Sequence, residues 1–165
     1  KDGQGTLRHY SGGGYKGEWK DGKYSGKGKI NWIDGSSYEG DFLNDVPNGE
    51  GITLWEDGSF YKGGKKDGLH DGYGVVYFTN GARFEGLYKK GEKSGDGIWF
   101  YASGGTDTGT WKNDKKHGYI ISKYPDGVIV EGNYILGSRH GKWTGTYIDG
   151  SSYDDFYYQY GDLVQ

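Results

Sequence analysis

The 165-residue chain has no cysteine, no methionine and only two prolines, Pro47 and Pro125. Without thiols there is no disulfide framework, zinc finger or cysteine nucleophile. No apolar run approaches the roughly 20 residues of a membrane-spanning helix, no signal peptide opens the chain, and no N-x-S/T acceptor occurs. A cytoplasmic protein is the expectation. Neither sign of charge dominates: the net charge is −3, with lysines and carboxylates interleaved. Attraction to nucleic acid or to anionic lipid through net charge alone is therefore not expected. Aliphatic residues are also scarce, a deficit that commonly marks disorder. Here seventeen Tyr, six Trp and six Phe take their place. Each ring buries a large area, so such residues can stabilise a thin sheet that has no aliphatic core. Thirty-five glycines without a Gly-X-Y period fit turn-rich β structure and exclude collagen.

The glycines and rings fall in columns 23 residues apart. The stretch Tyr15 to Ser37, YKGEWKDGKYSGKGKINWIDGSS, sets the frame, and copies start at Tyr38, Tyr61, Phe84, Asp107 and Val130, with a seventh start at Tyr153. One glycine column runs Gly17, Gly40, Gly63, Gly86, Gly109 and Gly132. A second runs from Gly3 and Gly26 to Gly141 without a break. A third holds Gly5, Gly28, Gly51, Gly74 and Gly97 and is lost at Ile120 and Trp143. An aromatic column, Trp32, Trp55, Phe78, Tyr101, Tyr124 and Tyr147, precedes the turn glycines Gly35 to Gly150 by three residues. A short period of this kind predicts a solenoid-like array. The expected division is a partial repeat over 1–14, full repeats at 15–37, 38–60, 61–83, 84–106, 107–129 and 130–152, and a C-terminal cap over 153–165. Lys1 opens in mid-repeat and methionine is absent, which points to a fragment of a longer protein.

Within one repeat, Tyr15, Gly17 and Trp19 alternate with Lys16, Glu18 and Lys20, the period of a strand with one aromatic and one charged face. Lys20 to Ser25 reads as a six-residue polar loop, followed by a second strand from Gly26 to Trp32. The expected pairs are Trp19 with Gly26, Gly17 with Gly28 and Tyr15 with Ile30, so that rings lie over glycines. A two-residue turn at Asp34-Gly35 would send Tyr38 to the wrong face. A three-residue loop, Ile33-Asp34-Gly35, with a left-handed glycine keeps the rings in register. The predicted fold is all-β: an elongated, single-layer, twisted antiparallel sheet of stacked 23-residue hairpins, each advancing the array by about 10 Å. Where Ile120 and Trp143 fill glycine positions, local curvature should change.

No catalytic constellation stands out. Asp34, Asp57, Asp126 and Asp149 recur because the turn favours Asp before Gly, and they lie along a line, not around a pocket. His117 and His140 share a column but sit roughly 10 Å apart, too far to share one metal ion. GKGK at Gly26 lacks the Ser or Thr and the helix of a phosphate loop. No enzyme, cofactor or metal is expected. The rings Tyr15, Trp19, Trp32, Tyr38, Trp55, Phe78, Tyr101, Tyr124 and Tyr147 are candidate contacts for a peptide or helix partner, and equally they are the core a single-layer sheet requires. The outer face carries Lys16, Lys20, Lys27, Lys29, Lys62, Lys65, Lys66, Lys89, Lys90 and Lys93, interleaved with acids. A solvated face that blunts edge pairing is the simpler reading, and a phospholipid-binding face is the alternative.

The columns resemble the MORN (membrane occupation and recognition nexus) repeat, YxGxWxxGxxxGxG followed by a DG turn, over essentially the whole chain. Gly132 to Gly150, GNYILGSRHGKWTGTYIDG, is as similar to the bacterial YwqK-type variant. The resemblance implies a non-catalytic protein-interaction scaffold in a cytoskeletal or membrane-associated assembly. It also allows a phosphoinositide-binding module, or the accessory region of a larger enzyme such as a lipid kinase or histone lysine methyltransferase. End-to-end self-association through open sheet edges is a further expectation.

Overall fold

In a computed structural model, residues 1–10, 12–152 and 155–164 are described. The expected seventh repeat start, Tyr153, and part of the expected cap, Asp154 and Gln165, lie outside them. The chain is all-β and antiparallel, and strand order equals chain order. It divides into two compact units, Lys1–Thr79 with Lys89–Gly91, and Asn80–Tyr88 with Glu92–Gln165. The first holds β1 (Gly3–Arg8), β2 (Gly14–Lys20), β3 (Lys23–Asn31), β4 (Ser37–Leu43), β5 (Val46–Leu54), β6 (Phe60–Lys66) and β7 (Leu69–Tyr77). The strands of the second are β8 (Arg83–Lys89), β9 (Glu92–Phe100), β10 (Thr106–Lys112), β11 (Lys115–Lys123), β12 (Ile129–Ile135), β13 (Ser138–Thr146), β14 (Phe156–Gln159) and β15 (Asp162–Leu163).

The six-residue loop is not there. β2 and β3 are joined by a two-residue turn at Asp21-Gly22, with φ of 52° and 78°. Positive φ at both positions makes the tight turn whose twist matches that of the strands, and Asn, Asp and Gly tolerate it best. Later turns use Asn44-Asp45, Asp67-Gly68, Asn113-Asp114 and Leu136-Gly137. Tyr24 therefore lies in a strand, and Trp19 pairs with Tyr24 instead of Gly26. The pairs Gly17 with Gly28 and Tyr15 with Ile30 stand as expected, so the register slips between Gly17 and Trp19. Glu18 faces this bulge, and Oε1 accepts the Lys27 N–H at 3.0 Å. Gly26, at φ 69°, makes the bulge possible. A bulge with an even slip leaves every ring on its face, which is why parity alone could not exclude it.

The other turn follows the expectation. The Trp32 N–H donates to Ser36 at 2.9 Å, Gly35 donates back to Trp32 at 3.2 Å, and Gly35 has φ 87°. Asp34 Oδ1 accepts the Ser36 N–H at 2.9 Å and its hydroxyl at 2.6 Å, which fixes the loop and lowers the Asp34 pKa.

Rings lie over glycines as expected. A Cβ on Gly28 would fall 2.5 Å from the Tyr15 ring, and one on Gly51 equally close to Tyr38. Tyr15, Tyr38 and Phe42 form a buried cluster, with Trp19, Tyr24 and Ile30 packed against it. The Tyr15 hydroxyl donates to the Glu18 carbonyl at 2.8 Å, and Tyr61 to the Gly64 carbonyl at 2.8 Å, so the ring also satisfies the bulge. In the last full repeat the donor comes from the other strand. Val130 is small, Trp143 is fully buried over Gly132, and its indole N–H donates to the matching carbonyl, Asn133, at 3.2 Å. Loss of glycine at Ile120 and Trp143 is thus a strand-to-strand exchange of the filling side chain, with Asp107 and Val130 vacating the volume.

Candidate functional site

The two faces of each hairpin differ in what they leave to solvent. On the charged face of the first unit, Lys27 pairs with Asp41 at 2.7 Å and Lys29 with Glu39 at 3.1 Å. On the ring face, the candidate contacts separate into two groups. Tyr15 and Tyr38 are 1% exposed and form the floor, while Trp19 is half-buried beside them. Burial, followed by the charge of Asp41, pushes the Tyr38 phenol up to about 12. Solvent is met by the column one residue beyond each second strand: Trp32, Tyr101, Tyr124 and Tyr147 are 40–45% exposed and Phe78 36%. Trp55 is half-buried, edge-on to His70 with centroids 6.1 Å apart. Three of these rings belong to each unit.

A second column on the same face comes from the position the six-residue loop would have removed from the sheet. It runs Tyr24, Pro47, His70, Lys93, Lys116 and Arg139, each in the first residues of a strand. Lys93, expected on the outer face, therefore lies on the ring face, 5.6 Å from the Phe84 centroid, with Nζ 3.0 Å from Asp114 Oδ1. Lys65 is corrected likewise: it occupies the Trp19 position, 5.6 Å from the Tyr61 centroid, because the fifth residue of every repeat points to the rings. The 23-residue period already aligned these cations; the wrong loop concealed their face.

The second unit adds a buried polar network. Asp107 stands where other repeats place an aromatic ring and is 3% exposed. Tyr101 Oη donates to its Oδ2, Lys116 Nζ pairs with the same oxygen, and the Ser122 side chain also bonds to the Asp107 carboxylate. Burial raises the Asp107 pKa, but the bonds from Lys116, Ser122 and Tyr101 outweigh it and leave the carboxyl below its ordinary value. A cavity of about 290 Å³ opens over this network, and a neighbour of about 240 Å³ lies over Trp143; Tyr124 and Arg139 line both. Among the described residues, no three His, Asp or Glu side chains gather as a metal-binding group.

The TCP domain of SAS-4 (dCPAP) from Drosophila melanogaster, in complex with a proline-rich motif of Ana2 (dSTIL), has a similar fold: TM-score 0.58 at 14% identity, over 92% of this chain and 83% of that one. The wild-type TCP10 domain of Danio rerio CPAP, in complex with a peptide of STIL, aligns over 95% of this chain and 96% of that one, at 14% identity and a TM-score of 0.34. Comparison with curated protein sequences finds no match. The MORN repeat profile matches residues 15–37, 38–60, 61–83, 84–106 and 108–128 in succession, which is more than half of the chain. The bulged hairpins with one ring over each glycine pair are thus MORN repeats, and the chain belongs to the MORN repeat family.

Proposed function

We propose that this chain is a non-catalytic module that binds an extended segment of a protein partner on the ring face of its hairpins. The observation that carries this reading is the placement of one aromatic side chain per repeat at the solvent boundary, above a floor that is already packed. Tyr15 and Tyr38 serve the sheet, whereas Trp32 and Tyr124 have ring area left to offer. Rings at regular spacing suit a polyproline-like or extended chain, which has little conformational entropy to lose. That the TCP domain of similar fold is in complex with a proline-rich motif supports a peptide of this kind as the partner.

A cytoplasmic, cytoskeleton-associated setting and a role as the interaction arm of a larger protein belong to this proposal. So does a YwqK-like character for the last full repeat, where Trp143 replaces the usual ring. On the charged face, the ion pairs of Lys27 and Lys29 already occupy cations that an anionic lipid would need. The test is affinity capture from native lysate with the chain, with Trp32→Ala and with Tyr124→Ala, checking each by circular dichroism. A protein retained by the parent chain and lost by a folded variant supports the reading; identical captures from all three overturn it.

A further inference from the structure

Successive repeats of the second unit present a phenol and a cation in the same two positions. Tyr101 and Lys116 hold Asp107 between them. One repeat later the phenol is Tyr124 and the cation is Arg139, but the residue in the place of Asp107 is Val130. Arg139 Nη1 donates to the Tyr158 hydroxyl at 2.9 Å, and its side chain also bonds to Tyr134. The guanidinium carbon lies 4.5 Å from the Trp143 centroid and 5.2 Å from that of Tyr158. Among the described residues no carboxylate pairs with it, whereas Lys93 and Lys116 in the same column each have an aspartate of this chain.

A guanidinium has five N–H donors in a planar fork, and two phenols use only part of them. The fork matches a carboxylate, and stacking on an indole fixes its plane before anything binds. The two cavities meet at Tyr124 and Arg139, so a residue anchored there has room for a neighbour on either side. We propose that Arg139 and Tyr124 form a subsite for an Asp or Glu of the bound segment, whose carboxylate takes the position relative to them that Asp107 takes relative to Lys116 and Tyr101. This deepens the proposed function and rests on it. The occupant is an acidic, extended peptide whose flanking apolar side chains enter the two cavities.

The test is selection of a phage-displayed random-peptide library on the chain, followed by affinity measurements on synthetic copies of the enriched peptides. Enriched peptides should share an acidic residue at one position. Converting it to its amide, or Arg139→Met in the protein, should weaken binding about tenfold or more, as loss of a charge-assisted bidentate contact does. Because Arg139→Met also removes packing on Trp143, Val130→Asp is the second variant: it supplies an internal carboxylate, leaves Arg139 in place, and should block the acidic peptides equally. Enriched peptides that lose binding with Tyr124→Ala but are acid-free, or indifferent to both Arg139→Met and Val130→Asp, overturn the acidic subsite and leave the peptide-binding reading standing. Peptides indifferent to Tyr124→Ala and Trp32→Ala overturn both.

Discussion

Lys65 shows what a single position in a ring column costs. It fills the place of Trp19, Phe42, Tyr88, Trp111 and Tyr134, and its amine lies between the rings of Tyr38 and Tyr61. Burial lowers its pKa from 10.5 to about 8. The unfolded lysine keeps its proton up to about 10.5, so between pH 8 and 10.5 the unfolded state binds more protons and stability rises with pH. Lys65→Met should raise the melting temperature at neutral pH, and the gain should shrink as pH climbs through that window; a gain independent of pH would contradict the assignment. Asp107 stabilises in its charged form where Lys65 destabilises, although here too stability rises with pH. Its pKa is held below the ordinary carboxylate value, so its contribution is present above about pH 3.9 and is lost as pH falls through the lower, folded value. Asp107→Asn should cost about 2 kcal/mol in urea unfolding at neutral pH, because Lys116 is left partly buried without its partner. The difference should vanish in acid.

At the scale of the hairpin, the stabilising unit is a ring, the glycine beneath it and the bulge carbonyl that its polar atom reaches. Gly51→Ala places a methyl group 2.5 Å from the Tyr38 ring, which should lower stability by about 2–3 kcal/mol. The last full repeat indicates the compensation. Gly51→Trp alone should unfold the repeat, and adding Tyr38→Val should restore much of the loss, as Trp143 and Val130 coexist over Gly132. The readout is the urea midpoint of single and double variants; no recovery in the double would contradict the exchange. Much of this unit was legible in the sequence. The 23-residue columns located the hairpins of the full repeats, and parity located the Gly35 loop, because both depend on side-chain period. The Asp21-Gly22 turn was misread because the polar stretch Lys20 to Ser25 looks the same whether it is a loop or a tight turn followed by a bulge. What decides between them is the positive φ of Gly26 and the Glu18 bond to Lys27. That error hid the Tyr24-to-Arg139 column, and with it the polar half of the candidate site.

On the scale of the molecule, each unit combines a face of interleaved cations and carboxylates, some of them ion-paired as Lys27 with Asp41 and Arg83 with Glu85, with a ring face that keeps area in reserve. The first face keeps the sheet solvated and blunts pairing with other chains. The second is suited to binding, since aromatic side chains bring large contact area at small entropic cost. The most direct test is site-specific photo-crosslinking, with a benzoylphenylalanine placed at Trp32 or Tyr124 on the ring face and at Glu39 or Lys16 on the charged face, followed by irradiation in native lysate. Protein adducts that form from Trp32 or Tyr124, and not from Glu39 or Lys16, are the predicted result. Adducts from the charged face alone, or equally from both faces, would contradict the account.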